Sequence, residues 1–138
     1  DDFVEENNLA VDLIQAIGSP YVKYLFCAPH TYHLGDDMAA MIRYAAPVLA
    51  QVHVADTFNH KAGWRYIVNP PGSTARVHQH LNIGEGEIDW DVFFSTLAEV
   101  GFDGLMTSQV FAYLPEVADK CSRLMHDQIH HYVDKYWK

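Results

Sequence analysis

The amino-acid sequence predicts an α/β fold made of parallel β/α units, with three strands and flanking helices that do not close a barrel on their own. Helical and strand-like patterns alternate along the chain, which implies parallel strands joined by right-handed crossovers. Three motifs follow in the order expected for the C-terminal part of such a barrel: a strand with a histidine at 51–56, a glycine-acid loop at 84–90 and a Gly-Phe-Asp-Gly turn at 101–104. A chain of 138 residues suffices for one hydrophobic core, so residues 1–138 are expected to form a single domain.

The first segment of the chain is predicted to be a helix followed by a strand. Apolar residues within 4–17 recur at helical spacing, and Gly18 and Pro20 are residue types that commonly end a helix. Residues 21–26, Tyr-Val-Lys-Tyr-Leu-Phe, favour an extended strand because aromatic and β-branched side chains fit a pleated surface. Residues 27–33 have the composition of a loop, so the strand is expected to end there.

The second segment repeats this order and then enters a long connection. Asp36 and Asp37 supply an N-cap and a first-turn acid for a helix of about ten residues that runs toward Pro47. Residues 48–55 form the second predicted strand. Glycine and proline interrupt 56–82, which shows no sustained periodicity and is predicted to be a long loop. Loops of this length in compact domains are usually functional or disordered, and the aromatic side chains here argue against simple disorder.

The last segment is predicted to contain a helix, a strand and a final helix. Asp89 is the expected N-cap of a helix that runs to about Val100. The turn at 101–104 leads into the third strand, 105–110. A final helix over 115–137 places its apolar side chains on one face, as expected for packing against a sheet.

Charge and composition restrict the classes of partner. The sequence has 9 Lys+Arg and 18 Asp+Glu, a formal net charge of -9, so no nucleic-acid partner is expected because the phosphates would be repelled. No apolar run reaches the roughly 18 residues that a membrane span needs, and the first residues lack a basic-then-apolar signal. A soluble, cytoplasmic protein is therefore expected. The two cysteines, Cys27 and Cys121, occur in unlike contexts and are expected to be reduced.

Five short motifs occur in a fixed order from Gly18 onward. They are Ser19-Pro20-Tyr21-Val22, Cys27-x-x-His30, His53-x-x-Asp56, Gly84-Glu85-Gly86-Glu87-Ile88-Asp89, and Gly101-Phe102-Asp103-Gly104 leading to Gln109. In this order they resemble the motifs of the sugar-phosphate isomerase/epimerase superfamily of xylose-isomerase-like TIM barrels, most closely its branch associated with myo-inositol catabolism. The resemblance covers nearly the whole chain and implies that the three strands are the sixth, seventh and eighth of such a barrel.

The resemblance also implies a chemistry. Family members bind a divalent cation, such as Mn²⁺, Mg²⁺, Co²⁺ or Zn²⁺, through a Glu, an Asp, a His and a second Glu at the ends of their last four strands. The two Glu residues usually act as acid and base in proton transfer on a sugar. In this chain His53 stands at the His position, Cys27 at the Asp position and Gln109 at the last Glu position. The resemblance therefore implies a metal at His53 and Cys27, a catalytic position at Gln109 and a small sugar or cyclitol as substrate.

These replacements change what the site can do. Hard cations prefer anionic oxygens, which a thiol and a neutral amide do not supply. A set of Cys27, His53 and His30 is softer and suits Zn²⁺ if a fourth ligand comes from the loop or from a neighbouring molecule. Gln109 is neither a useful base nor a useful acid near neutral pH. The sequence therefore predicts an isomerase/epimerase-like protein with impaired activity, as a fragment or a diverged member.

Two alternative functions remain open from the sequence. One is a non-catalytic partial barrel that self-associates, because exposed strand edges pair readily with other strands. A homo-oligomer, or the missing half of a barrel, would then cover the open edges. The other is a relative of the DNA-repair endonucleases in the same superfamily, which the negative charge and the missing ligands disfavour.

Structural roles also compete with functional ones at the candidate site residues. A histidine in a strand, such as His53, is often hydrogen-bonded and structural, and a cysteine at a strand end, such as Cys27, is often a small buried hydrophobe. The family match implies that His30 contacts substrate. Asp56 is expected to orient or to cap at the strand end, as carboxylates do for metal-bound histidines.

Three further candidates lie near the end of the predicted loop. Arg76 is a substrate-binding candidate because its guanidinium presents a fork of donors to the paired oxygens of a phosphate or polyol. His78 and His80, two residues apart, would lie on one side of an extended chain and could chelate a metal. Solvated loop histidines are the simpler interpretation of that pair. The glycines of 84–86 are expected to serve the backbone turn, because the adjacent acids would repel a phosphate.

Overall fold

The computed structural model describes residues 4, 6–33, 37–59 and 79–138, which form a parallel three-stranded sheet with flanking helices, and the strands lie side by side in their order along the chain. The predicted α/β fold, an open set of parallel β/α units, is therefore confirmed. The elements are α1 Asn7–Ile17, β1 Tyr24–Cys27, α2 Ala28–Tyr32, α3 Met38–Ala45, β2 Leu49–Val54, α4 Trp90–Glu99, β3 Leu105–Ser108, and α5 Ala118–Tyr136 preceded by the 3-10 turn Pro115–Val117.

The ends of three helices follow the predicted capping signals. Gly18 closes α1 with a φ of 65°, in the left-handed region that glycine adopts without strain. Asp37 begins α3 and Asp89 begins α4, and each carboxylate accepts a hydrogen bond of 3.0 Å from the backbone N–H three residues further along. These local signals therefore fix where the helices flank the sheet.

The loop predicted over 27–33 is wrong, because residues Ala28–Tyr32 form the short helix α2 directly after β1. Pro29 lies in the first turn, where its missing N–H is not needed for the helix. The Thr31 hydroxyl donates to the Cys27 carbonyl oxygen over 3.0 Å and so satisfies one backbone acceptor at the end of the strand. This helix holds the side chain of His30 next to the strand end.

The strand register decides which side chains face the helices. Phe26 of β1 is paired with Val52 of β2, and both side chains are fully buried in the core. Side chains alternate along a strand, so the flanking residues Cys27 and His53 point to the opposite face of the sheet. The helix-facing core also contains Ala28, Met38, Met41, Ile42, Val54, Ile83, Ile88, Trp90, Phe93, Phe94, Leu97, Phe102 and Met125.

The connection after β2 is anchored at both of its described ends. Asp56 and Leu81 form an antiparallel bridge in which each backbone N–H donates to the other residue's carbonyl oxygen, over 2.8 and 2.9 Å. Residues 60–78 lie outside the described residues, so the loop prediction there and the assignments of Arg76 and His78 remain predictions. The bridge brings residue 80 and the glycine-acid loop to the carboxyl end of the sheet.

Candidate functional site

A row of polar side chains lies at the carboxyl ends of the strands, on the face opposite the helical core. Cys27 of β1 is paired with His53 of β2, which is paired with Thr107 of β3. Gln51 connects this row, since its Nε2 donates to Thr107 Oγ1 over 3.0 Å and lies 3.3 Å from His53 Nε2. No sequence pattern indicated Gln51, because a polar residue in a half-buried strand is expected at any solvent-facing position.

Cys27 is the point where several candidate residues meet. Its Sγ lies 3.3 Å from Gln109 Oε1, to which the thiol donates, and 3.8 Å from His80 Nε2. Gln109 is held by its backbone N–H, which donates to the Val54 carbonyl oxygen over 3.1 Å just beyond the end of β2. The structure thus brings the predicted positions Cys27 and Gln109 into direct contact.

His80 is a site residue whose place the sequence interpretation missed. Its side chain is fully buried, so the simpler expectation of a solvated loop histidine is wrong for this residue. The ring stacks on Phe111 with centroids 4.0 Å apart and meets the ring of His30 edge-on at 4.9 Å. A usable signal was the alternation of Leu81 and Ile83 with polar neighbours, which indicates an extended, partly buried segment.

Three side chains with metal-ligating atoms lie close together in the described part of the chain. The ligand atoms of Cys27, His30 and His80 all lie within 4.8 Å of one another. His53 is half-buried on the same face but does not belong to this group of three. The assignment of His53 and Cys27 to one metal, and of His30 to substrate, remains a prediction.

Asp56 caps the chain at the end of β2. Its buried carboxylate accepts hydrogen bonds from the backbone N–H groups of Thr57, Gly84 and Ile88 and from the indole N–H of Trp90, over 2.8–3.1 Å. Of the two roles expected for Asp56, these bonds support a cap at the strand end, because they direct both of its oxygens to Thr57, the glycine-acid loop and α4. The carboxylate therefore holds the glycine-acid loop against the chain just after β2.

At Gly86 this loop lies close against the chain that follows β2. A Cβ atom at residue 86 would lie 2.3 Å from Asp56 Oδ1 and 2.4 Å from the Thr57 carbonyl oxygen. We therefore expect Gly86→Ala to lower the free energy of unfolding by about 1–3 kcal/mol, because the loop must move away from Asp56. Urea denaturation measures this loss, and an unchanged midpoint would contradict the close approach.

Gly101 supplies the comparison for this substitution. A Cβ atom there meets no described atom within 4 Å, so Gly101→Ala reports only the strain of a positive φ of 70°. The difference in unfolding free energy between the two variants therefore separates steric crowding at Gly86 from backbone strain.

Burial controls the protonation of Cys27. Loss of solvation raises the pKa of this thiol from 9.0 to about 11. A hydrogen bond with the backbone of His30 lowers the pKa and only partly offsets this rise. Both cysteines are buried and are not bonded to each other. At neutral pH Cys27 is therefore a neutral thiol.

The raised pKa predicts slow alkylation. In the Cys121→Ser variant, with a chelator present, iodoacetamide at pH 8 should modify Cys27 at least about 100-fold more slowly than the same chain in denaturant, because the thiolate fraction falls tenfold per pKa unit. The rate should rise with pH until about pH 11. A native rate equal to the denatured rate at pH 8 would contradict the burial of this thiol.

The predicted family metal set does not fit a hard cation in this chain. Cys27 offers a neutral thiol, Gln109 offers an amide oxygen that already accepts from that thiol, and His53 offers one imidazole. The nearby Asp56 carboxylate is occupied by four N–H donors. Mg²⁺ and Mn²⁺ need anionic oxygens to compensate for lost hydration, so these residues are unsuited to either ion.

Parallel strands whose carboxyl ends carry polar side chains, with helices packed on the other face, are features of the (β/α)-barrel class of proteins. The chain belongs to the xylose isomerase-like TIM barrel family, whose model matches residues 2–125. None of the curated proteins matches the sequence. Within the described residues, no helix combines the length and the apolar character needed to cross a membrane.

Solved structures share this fold at low sequence identity. An L-ribulose 3-epimerase superposes with a TM-score of 0.69 at 15% identity, covering 99% of this chain and 44% of that chain. The IolI protein with a bound zinc atom gives 0.70 at 18% identity, over 96% of this chain and 45% of that chain. A xylose isomerase domain protein from Planctomyces limnophilus gives 0.71 at 17% identity, again over 96% and 45%. The chain therefore spans less than half the length of these three proteins.

Proposed function

We propose that this chain binds a small sugar or cyclitol at the carboxyl ends of its strands, as an isomerase/epimerase-like protein with impaired proton transfer. The observation that carries this proposal is the convergence of Cys27, His53 and Gln109 on one face of the sheet. Enzymes of the barrel class hold their substrates at this end of the strands. Similarity to sugar 3-epimerases supports a polyol ligand.

The proposed impairment follows from the groups at the catalytic position. Epimerisation next to a carbonyl requires a base that removes a proton from carbon. Gln109 is a neutral amide and Cys27 is a neutral thiol at pH 7, since burial raises the pKa of that thiol to about 11. Neither group accepts a proton from carbon under these conditions. His53 and Gln51 are left to donate and accept hydrogen bonds with hydroxyl groups of the ligand.

Binding and proton transfer can be measured separately. Ligand-observed NMR with D-fructose and with an inosose tests binding, and deuterium uptake from heavy water into the same compounds tests proton transfer. We expect binding without enzymatic uptake, and weaker binding in the His53→Ala variant. The variant His130→Ala, at an exposed position of α5, is the matched control and should bind like the parent chain. Absence of binding to any ketose or cyclitol would overturn the proposal, and rapid uptake would overturn the impairment.

A second candidate function is self-association of a partial barrel. Exposed apolar side chains on the face of the sheet opposite the helical core favour it. Leu25 of β1 and Leu105 of β3 lie in register with Gln51, on the face opposite the core, and Leu105 is 63% exposed. Within the described residues, β1 and β3 each pair with β2 alone and so keep an open edge. Open edges and exposed leucines are features that a second copy, or the rest of a barrel, would cover.

Solution mass tests this second function. We expect an oligomer by light scattering, with at least about tenfold weaker association for Leu105→Lys because a charge would enter the proposed contact. Leu13→Lys, at an exposed position on α1, is the control and should associate like the parent chain. A monomer at every concentration would exclude self-association.

We further propose a cytoplasmic location. Both cysteines are buried and unpaired with each other, as is typical of compartments that keep thiols reduced. Localisation of a fluorescently tagged chain tests this, and a secreted protein would contradict it.

A further inference from the structure

We infer that Cys27, His30 and His80 form a zinc site that does not use His53. The three residues come from the end of β1, from α2 and from the segment that follows the 60–78 connection. They gather at one point although 53 positions separate Cys27 from His80 along the chain. The inference does not rest on the proposed sugar-binding function, because metal binding can be measured without any sugar.

The distances are close to those of a tetrahedral zinc ion. With Zn–S near 2.3 Å and Zn–N near 2.0–2.1 Å, a tetrahedral ion places sulfur and nitrogen about 3.6 Å apart. Cys27 Sγ lies 3.8 Å from His80 Nε2, and all three ligand atoms lie within 4.8 Å of one another. The remaining adjustment is on the order of 1 Å, which the exposed ring of His30 can make by rotating about its side-chain bonds.

The surrounding structure holds two of the three ligands in place. Cys27 is fixed by the strand pairing with His53, and the hydroxyl of Thr31 ties α2 to the Cys27 carbonyl oxygen. The ring of His80 is fully buried and lies flat against Phe111, with an interplanar angle of 29°. Only His30 is exposed, so binding requires little ordering of side chains beyond this one.

The donor set has the chemistry that zinc selects. One thiolate and two imidazoles form a soft to intermediate set, which suits Zn²⁺ and does not suit Mg²⁺ or Mn²⁺. On binding, the S–H bond of Cys27 breaks, a Zn–S bond forms and the proton passes to solvent. Three protein ligands leave a fourth position for water or for an oxygen of a polyol or ketose, as in zinc sites that remain open to substrate.

The test uses the full chain after chelator treatment and dialysis. Zinc content is measured by elemental analysis, and affinity by competition with a chromophoric chelator. Cobalt substitution adds a structural readout, because Co²⁺ bound to a thiolate shows a charge-transfer band that a site of imidazoles alone lacks. We expect one zinc per chain, with affinity at least about 100-fold lower in Cys27→Ser and in His30→Ala.

Three variants distinguish this site from other sources of metal. His30→Ala changes an exposed residue and should leave the chain folded, and the unfolding midpoint in urea checks that its loss of zinc is not due to unfolding. His53→Ala should keep the zinc, and so should His130→Ala, which removes one ring of the exposed pair His126 and His130. Loss of zinc in His53→Ala with retention in His30→Ala would overturn the inference in favour of the family arrangement. Loss in His130→Ala, or no zinc in the parent chain, would also overturn it.

Discussion

Replacing Asp56 with alanine is expected to lower the free energy of unfolding by about 3–5 kcal/mol. The carboxylate is buried, and the substitution leaves the N–H groups of Thr57, Gly84 and Ile88 and the indole N–H of Trp90 without their acceptor. A buried donor that loses its partner carries its full desolvation penalty. The effect is therefore larger than that of removing one hydrogen bond. Urea denaturation with a linear extrapolation measures it.

Two variants separate the role of the acceptor from the loss of volume. Asp56→Asn preserves the shape but presents an NH₂ group to at least one N–H donor, so we expect a loss of about 2–3 kcal/mol. Asp127→Ala removes an exposed carboxylate on α5 and should change stability by less than about 0.5 kcal/mol. Equal stability of Asp56→Ala and Asp127→Ala would contradict the proposed anchoring of the glycine-acid loop.

Asp56→Ala should speed amide exchange more in the glycine-acid loop, residues 84–90, than in the rest of the chain. Three of the four hydrogen bonds to Asp56 hold residues 84–90. Glu87 also links this loop to the chain after β2, since its N–H donates to the Thr57 carbonyl oxygen over 2.9 Å and its carboxylate accepts from the Asn59 N–H over 3.1 Å. Amide exchange at Gly84 and Ile88 should therefore become faster than exchange in β2. Uniform exchange rates across the chain would show that the carboxylate does not organise this loop.

The elements of the fold could be predicted well from the sequence because their signals are local. Asp37, Asp89 and Gly18 act within one helical turn, so capping chemistry alone places these helix ends to within a few residues. The helix at Ala28–Tyr32 was missed because five residues carry too little periodicity, and because Pro29 suggests a loop until its position in the first turn is known.

The candidate site was harder to predict because its contacts are not local. Strand pairing brings Cys27 level with His53, which the family order implied. The approach of His80 to Cys27 depends on the bridge between Asp56 and Leu81, for which the sequence has no separate signal. The sequence left two roles open for Asp56 for the same reason, since a carboxylate after a strand can serve a metal-bound histidine or a neighbouring loop equally well.

Introducing carboxylates at residues 27 and 109 should create a site for a hard cation. In the double variant Cys27→Asp/Gln109→Glu, two carboxylates would replace a thiol and an amide that lie 3.3 Å apart, on the same face as His53. Two anionic ligands supply the charge that Mn²⁺ needs to lose its hydration, so we expect Mn²⁺ affinity to rise at least about 100-fold over the parent chain. Titration followed by the electron spin resonance of free Mn²⁺ measures this change.

The single variants and the His53→Ala substitution test whether the gain in Mn²⁺ affinity comes from one site that the three residues share. Cys27→Asp and Gln109→Glu alone should each give a smaller gain, because one carboxylate leaves the ion with a single anionic ligand. Adding His53→Ala to the double variant should remove most of the gain if the three residues bind one ion. If the gain in Mn²⁺ affinity remains after His53→Ala, residues 27, 53 and 109 do not bind one ion together.

The same double variant, Cys27→Asp/Gln109→Glu, should catalyse proton transfer when Mn²⁺ is bound. The double variant should show deuterium uptake about 10²–10⁴-fold above the parent chain, since the introduced glutamate is a base where the native glutamine is not. Cys27→Asp alone is the matched control, because it adds a carboxylate but leaves Gln109 in place, and it should show no such gain. If the double variant binds Mn²⁺ tightly but shows no deuterium uptake, the lack of a base at residue 109 is not what prevents proton transfer.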